Sequence, residues 1–252
     1  MRIGISNVGW NREEDDAIVA MLPQLGVEAL EVAPSRLWDE PFDARALEAY
    51  RDRVGLPVVS LQSLFYGHPE LQLFGESRPQ LVDRLRSLCD VAALLGARTL
   101  VFGSPGNRQR GPIDPEAALE SAAETFAEVG GYAAGLGCAV CVEPLPDCDF
   151  VATVAEAREL ERLVSSPGFG VHLDSAVLAA TGESVDAAPR HFHATETGFG
   201  VLGAAGVDHR RFARQLRAAG YRGVVSIESF AVQGSNAERV RASVAYAREA
   251  YA

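Results

Sequence analysis

The chain has no lysine: every one of its 23 basic residues is arginine. Schiff-base catalysis and the phosphate-loop lysine are therefore chemically out of reach, which excludes the lysine-dependent aldolases. Cysteine is scarce as well. Cys89, Cys138, Cys141 and Cys148 are too few and too unevenly spaced in 252 residues for a disulfide framework, so reduced thiols are expected. Cys138 and Cys141 form a Cys-x2-Cys spacing, but within a strand their sulfurs fall on opposite faces, and no second pair completes a zinc site. Long apolar runs are also missing. Nothing approaches the roughly 20 residues of a membrane span, and no apolar stretch follows a basic opening segment. A cytoplasmic protein without a membrane partner is the expectation. Positive charge is outnumbered by 34 acidic residues, for a net charge of -11. Such a surface repels polyanions and makes nucleic acid an unsuitable partner.

What the chain does have is a repeat. Short apolar or β-branched runs alternate with amphipathic segments, the pattern of parallel strands joined by helices. The strand-like runs are Arg2–Ser6, Val27–Val32, Val58–Gln62, Thr99–Gly103, Cys138–Glu143, Gly170–Asp174, His191–Thr195 and Gly223–Glu228. Eight is the number that closes a (β/α)8 barrel, and a 252-residue chain with 48% hydrophobic residues suits one such α/β domain over residues 1–252. Helices are predicted over Arg12–Leu25, Ala44–Val54, Pro79–Leu95, Asp114–Leu136, Thr153–Val164, Asp208–Ala219 and Asn236–Tyr251, while Ala176–Arg190 leaves room for a turn or two. Gly26, Gly96, Gly137 and Gly220 stand where left-handed caps end these helices. An open doubly wound sheet is the alternative, but "SNVGWNRE" follows the first strand in place of a glycine fingerprint.

Buried strands seldom end in charged residues without a reason. The last four runs nevertheless end, or nearly end, in Glu143, Asp174, His193 and Glu228. In a parallel barrel the C-terminal strand ends meet at one mouth, so these four become neighbours. Two glutamates, an aspartate and an imidazole make a hard site for Mn²⁺, Mg²⁺ or Co²⁺, with Zn²⁺ also accommodated. Without a cation, the three carboxylates would repel one another and take up protons. His172 and His191 precede Asp174 and His193 by two residues and so share their inward face one layer lower, as supports that hydrogen-bond the ligands or as satisfied core histidines. Gln62 ends the third run, where its amide either points into the mouth as a neutral hydrogen-bonding partner or caps a loop; Trp10 and Phe65 follow the first and third strands, where their rings either pack on an apolar ligand face or belong to the core. Arg108, after the fourth strand, suits an anionic or hydroxylated substrate group. His68 and His209 receive no role.

The segments "VEPLPDCDFVATVAEA", "FGVHLDSAVL", "HFHATETG" and "GYRGVVSIESF" resemble the xylose-isomerase-like barrel superfamily of sugar isomerases, ketose 3-epimerases and related metalloenzymes. The resemblance runs along essentially the whole chain. It implies that Glu143, Asp174, His193 and Glu228 are the metal ligands, with Glu143 and Glu228 also acting as base and acid. Glu31 matches a second-strand glutamate near substrate, and Glu196 matches the acidic residue of the seventh-strand motif. The implied reaction is proton transfer beside a carbonyl through a metal-stabilised enediolate, on a sugar, polyol or ketose. A homo-oligomer is compatible with it. Three positions depart from the ketose 3-epimerase pattern: Val177 replaces a histidine, Phe199 an arginine, and Asp149 a glutamate. They point to a substrate other than a free ketose. A lyase or dehydratase that begins with the same proton abstraction, and a non-catalytic polyol-binding barrel, are the alternatives. An abasic-site endonuclease would need more metal-binding histidines and a basic face.

Overall fold

The computed structural model spans Met1–Ala252. Eight parallel strands close into a barrel in sequence order: β1 (Arg2–Ser6), β2 (Ala29–Val32), β3 (Val58–Leu61), β4 (Thr99–Phe102), β5 (Ala139–Val142), β6 (Phe169–Asp174), β7 (His191–Thr195) and β8 (Val224–Glu228). Strand β8 returns to β1 in the register Arg2↔Val224 through Ile5↔Ile227, so no sheet edge is left open. Each strand lies within the predicted run or one residue beyond it. Strand β2 begins two residues late: Val27 N–H closes the preceding helix on Leu22 C=O, and Glu28 N–H reaches Ile3 C=O on β1.

The helices form the outer layer: α1 (Asp15–Leu25), α2 (Pro34–Leu37), α3 (Ala44–Val54), α4 (Arg78–Leu95), α5 (Pro115–Gly135), α6 (Val154–Val164), α7 (Ser175–Thr181), α8 (His209–Ala218) and α9 (Ala237–Tyr251). The short α7 fills the segment left ambiguous by its sequence, and the single turn of α2 was not predicted. Thr153 caps α6 in a box with Glu156, and Asp114 caps α5 through the N–H groups of Glu116 and Ala117. Outward strand residues such as Leu30, Leu61, Leu100, Val140, Phe192 and Ile227 are buried against these helices. A file of rings, Phe102–Phe126–Phe169, ties β4, α5 and β6 together. Gly168 makes the closest helix approach possible, because a Cβ there would lie 1.9 Å from Gly130 C=O on α5. The four cysteines are free and buried, and no helix is long and apolar enough to cross a membrane.

Inside the barrel the alternate residues are polar towards the C-terminal end. Register pairs His172 with His191, Asp174 with His193, and Thr195 with Glu228. The fold thereby carries side chains from distant parts of the chain to one end.

Candidate functional site

A cavity of about 320 Å³ opens at the C-terminal ends of the strands, and Glu143, Asp174 and Glu228 line it. Glu143 is the first residue after β5, its N–H held by Phe102 C=O at 3.2 Å. Asp174 ends β6 and caps α7, with Oδ1 accepting from the N–H groups of Ala176 (2.7 Å) and Val177 (3.0 Å). The Thr195 hydroxyl donates to its other oxygen. Glu228 ends β8.

His193 is oriented from below. Its Nε2 lies 2.8 Å from Glu31 Oε2, and because an ionised carboxylate only accepts, Nε2 carries the proton. Glu31 is completely buried; burial alone would raise its pKa, but His193 and His191 outweigh this and hold it well below the usual range. The opposite ring atom, Nδ1, is buried without a hydrogen-bond partner and lies 3.5 Å from Glu228 Oε2. Asp174, His193 and Glu228 offer ligand atoms within 4.8 Å of one another, and Glu143 forms a second such group with His172 and His193.

The electrostatics favour a cation here. Burial, followed by the charges of Asp174 and Glu228, pushes Glu143 up to about 8. Burial and then Glu228 push Asp174 up to about 6. Converging carboxylates whose pKa values are pushed up, beside an imidazole nitrogen that faces Glu228 at 3.5 Å without a close hydrogen bond, fit a hard divalent ion.

The remaining predicted residues divide. Gln62 lines the cavity and donates to Ser6 Oγ at 2.6 Å. Glu196 also borders it, but its carboxylate is spent on the N–H groups of Gly203 and Ala205 and on His209, clamping the loop after β7. Glu31 acts from beneath His193, outside the cavity lining. His191 hydrogen-bonds Glu31 at 3.0 Å. His172 lies beside Glu143, with Nε2 at 3.9 Å, and neither of its ring nitrogens has a hydrogen-bond partner. Trp10, Phe65, Arg108 and Asp149 lie outside the cavity lining. Trp10 is buried with its indole N–H on Asp15 at 2.9 Å. Phe65 packs edge-on against Phe102. Arg108 is buried and donates to the backbone carbonyl of Glu143 at 2.6 Å, fixing that residue from behind. Asp149 accepts from the N–H groups of Arg110 and Gly111, away from the mouth.

Thr195, Gly103 and Phe230 were not singled out from the sequence, yet all three line the cavity. Thr195 lies two residues beyond His193 on the same strand, a spacing that puts both on one face, whereas Phe230 belongs to the loop after β8. At Gly103 a Cβ would come within 2.5 Å of Glu143 Oε2. Gly103→Ala should leave the fold intact, since only a side-chain terminus must yield, while a displacement of about 1 Å at Glu143 costs on the order of 10²-fold in activity. Comparing turnover with thermal unfolding of the variant checks this; unchanged turnover would show that the glycine makes no room that matters.

The family model of the xylose isomerase-like TIM barrel matches residues 19–250. No curated protein matches the sequence. Among solved structures, D-psicose 3-epimerase in the presence of D-fructose superposes with a TM-score of 0.83 at 18% identity, covering 99% of both chains. The IOLI protein with a bound zinc atom gives 0.80 at 17%, covering 99% of this chain and 98% of the other. The 3-keto-D-glucoside 4-epimerase of E. coli, in its apo form, gives 0.73 at 18%, covering 99% of both. At these identities the likeness shows the barrel fold.

Proposed function

Because the chain belongs to the xylose isomerase-like TIM barrel family, we propose that it is a sugar isomerase or epimerase dependent on a divalent cation. The observation that carries this reading is the convergence of Asp174, His193 and Glu228, with the unpartnered His193 Nδ1 turned towards Glu228. Two of the structural neighbours are sugar epimerases by name, and a third holds zinc, which agrees with it. Glu143, Asp174, His193 and Glu228 would hold the ion, with Mn²⁺, Mg²⁺ or Co²⁺ preferred by the oxygen-rich set and Zn²⁺ accepted. When bound, the cation supplies positive charge next to a substrate oxygen on which negative charge develops.

The protein's own groups move the proton. One of Glu143 and Glu228 takes it from the carbon beside a carbonyl, breaking a C–H bond, and the other gives a proton back to form a new one. Return to the same carbon from the opposite face inverts that centre; return to the neighbouring carbon, with the hydroxyl proton passing from one oxygen to the other, exchanges aldose and ketose. Glu31 holds His193 in one tautomer, Arg108 holds the backbone of Glu143, and the Gln62 amide presents hydrogen bonds to a hydroxylated ligand. Four buried free thiols suit a reducing, cytoplasmic setting.

A screen of ketoses, polyols and keto-glycosides in deuterium oxide with Mn²⁺ tests the reading. The expected result is deuterium at a carbon next to the carbonyl of one sugar, lost on chelation and restored by the ion. A protein that binds no divalent ion and exchanges no sugar proton would overturn it in favour of a binding barrel.

A further inference from the structure

We propose that the substrate is an uncharged sugar joined to a flat apolar or aromatic group, which Phe199 and Phe230 receive; this rests on the isomerase or epimerase reading above. The two rings lie parallel, with centroids 4.0 Å apart and planes within 3°. They are 38% and 48% exposed, and both line the cavity that holds Glu143, Asp174 and Glu228. Each ring is half covered by the other and by its loop, and the face left open forms an apolar patch on the wall of the cavity, where it meets whatever enters.

The backbone is built to present them. The Phe230 N–H donates to Phe199 C=O at 3.1 Å, joining the loop after β8 to the loop after β7. Phe199 sits in the left-handed region at φ 56°, directly after Gly198 at φ 73°. A phenylalanine holds that conformation only where its surroundings impose it, a condition concentrated at ligand clamps. Those surroundings include the Glu196 carboxylate, which ties down the same loop through Gly203, Ala205 and His209.

Beyond Phe230 lies a second chamber of about 280 Å³, bounded by Val8, Arg36, Ser63, Tyr66, Phe230 and Ala231. It shares Ser63 and Phe230 with the first, and Tyr66 stands 69% exposed at its edge. Two adjoining chambers with an aromatic divider match a two-part ligand, sugar in the first and ring-shaped substituent in the second, better than an open-chain monosaccharide. Charge narrows the class further. No arginine, lysine or histidine lines the first chamber, while Glu143, Asp174, Glu196 and Glu228 do. One divalent ion leaves that wall short of neutral, so a phosphate or carboxylate on the sugar would be repelled. Arg36, in the second chamber, is engaged by Trp10 C=O at 2.8 Å.

Calorimetric titration of the Mn²⁺-loaded protein with phenyl β-D-glucopyranoside, methyl β-D-glucopyranoside and glucose 6-phosphate tests the proposal without requiring turnover. The phenyl glycoside should bind roughly five- to tenfold more tightly than the methyl glycoside, the range expected of one stacking contact. Phe199→Ala and Phe230→Ala should each bring that ratio to about one with Mn²⁺ affinity unchanged, and Phe230→Tyr should keep it. No preference in the native protein, a preference that survives both alanine variants, or tighter binding of glucose 6-phosphate than of the methyl glycoside would overturn it. So would variants that change only the oligomeric state, which would make the rings a contact between copies. A phenyl preference without deuterium exchange in any sugar keeps the platform and removes the isomerase reading; exchange in a free ketose with no phenyl preference does the reverse.

Discussion

Glu143→Gln and Glu228→Gln should each lower solvent deuterium incorporation into substrate by roughly 10²- to 10⁴-fold, the contribution of a positioned general acid or base. Glutamine keeps the length of the side chain and one oxygen donor but cannot take a proton. The measurement belongs at saturating Mn²⁺, so that a weakened ion site is not mistaken for a lost proton carrier. Neither change threatens the barrel: Glu228 ends β8 and Glu143 follows β5, both with their carboxyl groups towards the cavity. Neutral glutamine also removes a charge from a place where burial and like charges oppose it, so the variants should unfold at or above the native temperature. If epimerisation divides the work between the two residues, each variant alone should stop net turnover. Wild-type exchange in either would remove that residue from proton transfer and leave it a role in holding the ion.

The barrel was legible because its strands are buried on both faces and so read as short continuous apolar runs, with left-handed glycines marking the returns at Gly26, Gly96, Gly137 and Gly220. The strand ends were legible for the opposite reason, since Asp174, His193 and Glu228 interrupt apolar runs with groups that burial alone would forbid. Loop side chains carried no such signal. Trp10 and Phe65 follow strands in sequence as a substrate-facing aromatic would, yet the indole of Trp10 finds its partner five residues on at Asp15, and Phe65 turns to Phe102. Arg108 shows the same limit: its position after β4 said nothing of whether its guanidinium faces the cavity or the backbone of Glu143. Glu31 sits at the end of β2 like the proposed ligands at their strands, but its carboxylate bonds His191 and His193 beneath the mouth, a depth fixed by strand stagger around the closed barrel. Phe230 carried no such signal either: β8 ends at Glu228, and the loop that follows, not strand alternation, turns the ring to the cavity.

In the presence of a chelator the protein should become less stable as pH rises from about 6.5 to 8, and Mn²⁺ should reverse the trend. Over that range the folded chain holds protons that the unfolded chain has released. Glu143 is pushed up to about 8 from an ordinary 4.5 by burial, then by Asp174 and Glu228. At His193 burial alone would favour the neutral ring, but Glu31 and Glu228 outweigh it and keep the proton to well above the ordinary imidazole range. A group with a raised folded pKa contributes stability that is complete below its unfolded value and disappears as pH climbs through the folded one. Each pH unit over which one such extra proton is held costs the folded state roughly 1.4 kcal/mol, which for a chain of this size is roughly 3 °C in Tm. Below about 6.5 the slope is opposed, because burial holds His172 and His209 neutral where the unfolded chain would protonate them. A divalent ion binds the deprotonated forms and displaces these protons, so its thermal shift should grow from pH 6.5 to 8, with proton release in calorimetry. Glu143→Gln should flatten the chelated slope by removing one of its two contributors. A chelated Tm that stays level or rises from 6.5 to 8, with no shift on adding Mn²⁺, would mean that these carboxylates and this imidazole are satisfied by one another and hold no ion.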